Sequence, residues 1–141
     1  MYSPGNKFEN RYLPKPFVVV EDNFVNRKVC QKILQRHGCD IDFAENGREA
    51  LEKVDATEYG LVLMDLQMPV VDGFEATLAI RAMDRQRGKH TPIVALTAHA
   101  MKGDREKCLG IGMDEYLTKP VKPQDLDAVV ERWSSSFARA A

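Results

Sequence analysis

No apolar run in this 141-residue chain approaches the twenty or so residues that span a bilayer, and no charged-then-apolar leader opens it. A soluble domain is therefore expected, with its parent protein left free to be membrane-bound. Neither sign of charge prevails: 20 Lys and Arg stand against 21 Asp and Glu, with no basic stripe or charge block. That balance argues against nucleic-acid binding through bulk electrostatics. Cysteine is scarce. Cys30, Cys39 and Cys108 have neither disulfide nor metal spacing, and read as reduced core residues of a cytoplasmic domain. The length suits one domain with a single sizeable core.

What is present is an alternation. Residues 1–15 carry Pro4, Gly5 and Pro14 without periodicity and read as a linker or disordered tail. Phe17-Val18-Val19-Val20 is a β-branched run and should be the first strand. Asn23 then caps a helix to about His37, with Val25, Val29 and Ile33 as its apolar stripe and Gly38 as its stop. Ile41 to Ala44 alternates as a second strand, and Asn46-Gly47 opens a helix with Ala50, Leu51 and Val54. Leu61-Val62-Leu63-Met64-Asp65 is the most apolar stretch and reads as a strand buried on both faces. Asp72-Gly73 starts a helix that fades into 85–88, and Pro92 to Thr97 is the fourth strand. A helix over about Lys102–Leu109 ends at the glycines 110 and 112, Glu115 to Thr118 is a fifth strand, and a last helix covers about Pro123–Trp133. Five strands alternating with five helices imply right-handed crossovers and a mainly parallel, doubly wound α/β sheet over residues 16–134, with 135–141 as a tail.

Parallel strands bring their carboxyl ends to one edge, where open α/β sheets bind ligands. That edge then gathers Glu21 and Asp22 after the first strand, Asp65 after the third, Thr97 after the fourth and Lys119 after the fifth. Three crowded carboxylates repel one another and call for a cation, and hard oxygen donors suit Mg²⁺. A lysine and a hydroxyl beside them would bind the oxygens of a phosphoryl group, with Asp65 as nucleophile giving an acyl phosphate.

Val20-Glu21-Asp22-Asn23, Met64-Asp65-Leu66-Gln67-Met68-Pro69, Asp72-Gly73, Ala95-Leu96-Thr97-Ala98 and Lys119-Pro120 together resemble the receiver domain of two-component response regulators. The resemblance covers about residues 16–134. It implies a flavodoxin-like (βα)5 fold with a five-stranded parallel sheet of order 2-1-3-4-5. It also implies Asp65 as phosphoacceptor, accepting from a phosphohistidine with Mg²⁺ present. Ligands of the ion would be Asp22, Asp65 and the main-chain carbonyl of Gln67, with Glu21 acting through water. Thr97 and Lys119 would bind the phosphoryl oxygens, Thr97 and Tyr116 would form the switch, and the Lys119–Pro120 bond would be cis. Glu21 stands where the commoner pattern has Asp, so its direct ligation is open.

Glu-Asp-Asn after the first strand and Leu-Thr-Ala-His-Ala-Met with Lys-Gly-Asp at 96–104 resemble the receivers of hybrid histidine kinases. The expected partner is accordingly a histidine kinase or a histidine phosphotransfer domain, and the setting is a cytoplasmic domain of a sensor kinase. A stand-alone single-domain regulator is the rival, and an unphosphorylated scaffold a more distant one. Gln67 and His99, two residues beyond Asp65 and Thr97, are expected to tune loss of the phosphate. Phe24, Pro120 and Val121 are expected to form the docking patch for the partner. A hydrolase using an aspartyl phosphate should carry a second Asp where Gln67 stands. A flavin protein of this topology should carry a phosphate-cradling loop where Glu21-Asp22 stands.

Overall fold

A computed structural model describes residues 15–68, 70–98 and 103–133. The elements run β1 (Phe17–Val20), α1 (Phe24–Gln35), β2 (Ile41–Ala44), α2 (Gly47–Ala56), β3 (Leu61–Asp65), α3 (Gly73–Arg87), β4 (Ile93–Thr97), α4 (Asp104–Ile111), β5 (Glu115–Thr118) and α5 (Pro123–Arg132). All four strand pairings are parallel, in the order β2-β1-β3-β4-β5, as expected. No helix among the described residues is long and apolar enough to cross a membrane.

Alternation along β3 shows why the central strand is apolar throughout. Val62 and Met64 enter the core on one face of the sheet, with Val18, Val20, Ile80 and Ala95. Leu61 and Leu63 enter the other, with Val19, Leu34, Leu96 and Leu126. Successive side chains point to opposite faces, so a strand covered on both sides has no position for a polar residue until it ends. Asp65 is that end.

The helices start where short polar side chains can hold free backbone N–H groups. Asn23, Asn46 and Asp72 accept from the N–H groups of Asn26, Glu49 and Glu75 at 3.0, 2.9 and 2.9 Å. Three expectations need correcting. The stripe Val25, Val29, Ile33 does not face the core: Val25 is 66 % and Val29 38 % exposed, and α1 buries Cys30, Ile33 and Leu34 instead. Each four-residue step overshoots a 3.6-residue turn by about 40°, so three such residues wind off any one face. Gly110 does not stop α4, which runs on to Ile111 and ends at Gly112, where φ of 117° requires glycine. Cys39 is only half-buried, whereas Cys30 and Cys108 are core residues.

At the amino edge of the sheet, Arg81 of α3 ties three elements together. Its Nε donates to the Gly112 carbonyl at 2.7 Å, Nη1 to Asp84 Oδ2 at 2.8 Å and to the Thr91 carbonyl at 2.7 Å, and Nη2 to Asp114 Oδ2 at 2.9 Å. Asp84 also accepts from the N–H and hydroxyl of Thr91, and Asp114 from the N–H of Ile93.

Candidate phosphoacceptor site

Five loops leave the carboxyl edge, and the positions of those at the site follow from local backbone demands. The loop after β3 is fixed at both ends. Gly47, the first residue of α2, donates its N–H to the Val71 carbonyl at 3.0 Å, and a Cβ there would lie 2.3 Å from that oxygen. A Cβ on Gly73 would meet the Asp65 carbonyl at 2.4 Å, so α3 starts directly against the backbone of Asp65. Between these two points Val70 adopts φ of 72°, a conformation that a β-branched residue enters at a cost of about 1–3 kcal/mol. Its side chain is 74 % exposed, so packing does not offset that cost. On the far side of the edge the Lys119–Pro120 peptide is cis, as expected, and the Lys119 N–H bonds the Thr97 carbonyl at 2.8 Å.

Carboxylate oxygens of Glu21, Asp22 and Asp65 lie within 4.8 Å of one another. Asp65 is 2 % exposed and accepts from the Gln67 N–H at 3.1 Å. Lys119 Nζ stands 3.0 Å from Asp65 Oδ1 and 2.9 Å from Glu21 Oε2. The approach to Glu21 Oε2 is that of an ion pair and is not aligned as a hydrogen bond, so this buried oxygen has no aligned donor. Its partner Oε1 accepts from the Asn23 N–H at 3.3 Å and from Asn26 Nδ2 at 3.2 Å.

Burial raises the Asp65 carboxyl above the ordinary carboxylate range, and repulsion from Glu21 adds to the rise. The Gln67 N–H and Lys119 oppose it without cancelling it. Burial pulls the Lys119 ammonium down, but its contacts with Glu21 and Asp65 outweigh this and leave it above the usual lysine value. Nearby Cys30 is no competing nucleophile, because burial and then Glu21 push its thiol up to about 12. Three carboxylates with one ammonium leave net negative charge at the cluster. Asp22 is exposed while Asp65 is buried, so the donor set is open on one side. Hard oxygen donors of this kind, with room for water, fit a small divalent cation.

The structure thus brings together Glu21, Asp22, Asp65 and Lys119, the residues expected there. Thr97 closes β4 at the same edge and lines a cavity of about 150 Å³ with Gln67, Phe74, Asp104 and Lys107. Tyr116 is half-buried against the core on the β5 side. His99 lies outside the described residues. The expected docking patch divides: Phe24 is 62 % exposed and lines a cavity with Arg27, Lys28 and Phe43, whereas Pro120 and Val121 adjoin Val29. Two contributors were not read from the sequence. Asn26 follows an N-cap asparagine by three residues, a spacing that marks a first helical turn but not its target. Gly47 signals only a helix start in the sequence, and the fold shows what it touches.

A doubly wound parallel sheet with an acidic cluster and a lysine at its carboxyl edge defines a class of domain. Residues 17–131 match the response regulator receiver domain, and the chain belongs to that family. It is 44 % identical over 126 residues to hybrid signal transduction histidine kinase I of Dictyostelium discoideum, covering 86 % of this chain and 7 % of that protein. The chain therefore spans only a small part of that relative. Among solved structures it is similar to the receiver domain of a sensor histidine kinase from Pseudomonas aeruginosa PAO1 that holds a magnesium ion in its active-site cleft. There the TM-score is 0.77, with 39 % identity and coverage of 86 % of this chain and 98 % of that one. It is also similar to a chain of the Saccharomyces cerevisiae complex between the histidine phosphotransfer protein Ypd1 and the receiver domain of Ssk1. Here the TM-score is 0.81, with 36 % identity and coverage of 89 % and 93 %.

Proposed function

We propose that this chain is the phosphoacceptor module of a His-to-Asp relay, within a hybrid histidine kinase, and that Asp65 receives the phosphoryl group. The observation that carries the reading is Asp65 itself, buried at the end of β3, among carboxylates within 4.8 Å and 3.0 Å from Lys119. An Asp65 oxygen attacks phosphorus as the P–N bond to the donor imidazole breaks, and the imidazole leaves with the electron pair and gains a proton. Lys119 then turns from Asp65 to the new phosphoryl oxygens, and the Thr97 hydroxyl binds another. Asp22, Asp65 and the Gln67 carbonyl would hold Mg²⁺, with Glu21 reaching it only through water. Held there, the ion would supply charge neutralisation on the transferring group.

The Thr97 and Tyr116 pair carries the response: as Thr97 moves toward the phosphoryl group, space opens for the Tyr116 ring. Gln67, exposed on the rim, and His99 set the rate of attack by water. The partner is a kinase or histidine phosphotransfer domain, docking over exposed Phe24 on one side and over Pro120 and Val121 beside Val29 on the other. Transfer from a phosphorylated histidine phosphotransfer protein, followed by digestion, tests the reading. Label is expected only in the peptide holding Asp65 and only with Mg²⁺. Equal labelling of Asp65→Asn would overturn it.

A further inference from the structure

We infer that Asn26 is a positioning residue for the phosphoryl transfer: its side-chain amide fixes the Glu21 carboxylate so that Glu21 anchors Lys119. This rests on the reading of Asp65 as phosphoacceptor and adds a residue to it.

Glu21 is fully buried, and its two oxygens have distinct surroundings. Oε1 points at the start of α1, where Asn26 Nδ2 and the Asn23 N–H reach it at 3.2 and 3.3 Å. Oε2 is left to Lys119 at 2.9 Å, and Lys119 reaches on to Asp65 Oδ1 at 3.0 Å. The chain of contacts therefore runs Asn26, Glu21, Lys119, Asp65. The terminal torsion of a glutamate is broad, so nothing in the side chain itself chooses which oxygen faces the lysine. The plane of the carboxylate is set by its donors, and Asn26 supplies the side-chain donor beside the Asn23 N–H. Asn26 is in turn held by its own N–H, which donates to Asn23 Oδ1 at 3.0 Å. A cavity of about 30 Å³ lined by Glu21, Asn26, Cys30, Leu96, Lys119 and Val121 backs the group. Its mostly apolar walls give little polar solvent to replace a lost donor, which makes the contact count for more than it would in water.

Asn26 holds Oε1, the oxygen turned away from the lysine, so its loss should be read at Lys119 and the transfer step before it is read in cation affinity. In Asn26→Ala of the full chain, phosphorylation by acetyl phosphate at saturating Mg²⁺ should slow roughly tenfold, the scale of one charge-assisted hydrogen bond. The Mg²⁺ dissociation constant, titrated without phosphodonor, should stay within about twofold. In the metal-free protein the ¹⁵N signal of the Lys119 ammonium, kept sharp by its ion pairs, should broaden. Glu21→Gln should slow phosphorylation comparably, and the double variant should be no slower than the worse single. Asn26→Leu, which keeps the shape and removes the donor without adding charge, should behave as Asn26→Ala does and serves if the alanine variant fails to fold. Additive effects of the two sites, an unchanged Lys119 signal, or a Mg²⁺ affinity that falls in step with the rate would each overturn the inference. Absence of label at Asp65 in the unaltered protein would instead sink the underlying reading, while the metal-free Lys119 signal would still report on the anchor.

Discussion

At the amino edge of the sheet, Arg81 gives every guanidinium nitrogen an acceptor, and the two carboxylates it holds each gain further donors from the backbone. At the carboxyl edge of the same sheet, three carboxylates share one ammonium and a buried glutamate oxygen lacks an aligned donor. Both edges bury charge. One is saturated by the fold itself, and the other is left short of positive charge by about the amount that a divalent cation would supply. Buried ionic groups whose partners are complete are retained for architecture, whereas an incomplete set points to a ligand.

Substitutions at the two edges should separate stability from chemistry. The largest effect expected is from Arg81→Leu, which strands Asp84 and Asp114 in the interior. Urea denaturation should show a loss of about 3–5 kcal/mol, with phosphorylation per folded molecule little changed. A comparable loss of phosphorylation would erase the distinction between the edges. Lys119→Ala should do the reverse. Its phosphorylation rate should fall on the order of 100-fold, as when one electrostatic stabiliser of a transition state is removed. Stability should fall far less than for Arg81→Leu, and adding Mg²⁺ should recover part of it; rapid-quench kinetics and melting curves measure both.

Next in size is a contact belonging to neither edge's charges. Phe24→Ala should slow transfer from a phosphorylated histidine phosphotransfer protein roughly tenfold, the cost of truncating one interface anchor. Phosphorylation by acetyl phosphate should remain nearly intact, and equal loss with both donors would assign Phe24 to the fold. The smallest effect expected is at Glu115, whose carboxyl Arg132 holds below the ordinary range, with burial working against it and the Trp133 N–H assisting. A depressed carboxyl contributes stability above its unfolded pKa and loses it as pH falls through the folded value. Glu115→Gln should therefore lower stability at neutral pH by under ~1 kcal/mol and flatten the acid limb below about pH 4.5, where the two proteins converge. An unaltered acid limb would mean that the pair with Arg132 is not formed in solution.

The strands were legible because a sheet covered on both faces takes short unbroken apolar runs ended by polar residues: Phe17 to Val20 and Leu61 to Asp65 begin and end where their residues say. The reactive edge was legible for a related reason, since parallel strands carry whatever follows them to one side. Helix faces were harder. Val25, Val29 and Ile33 looked like a core stripe, yet only Ile33 is buried, because four-residue spacing alone does not choose a face and the packing of α5 does. Side chains that act through another residue left no trace. Nothing in Asn26 names Glu21, and nothing in Gly47 names Val71, because those contacts exist only once distant segments meet. Arg81 was hidden too, as its acceptors are spread from Asp84 to Asp114.

The geometry of the amino edge has a consequence for how such a unit is used. β1 sets out from that edge at Phe17, and α5 returns to it, where Trp133 stacks on His90 at 6.4 Å and donates to Glu115 at 3.1 Å. Both points of attachment therefore lie on the hemisphere stitched together by Arg81, opposite the reactive loops. A flanking segment joined at either point can be exchanged or lengthened without passing over Asp65. The molecule is built like a plug, wired from behind and open at the contacts, and the same unit can be spliced into unlike polypeptides with its reactive face unchanged.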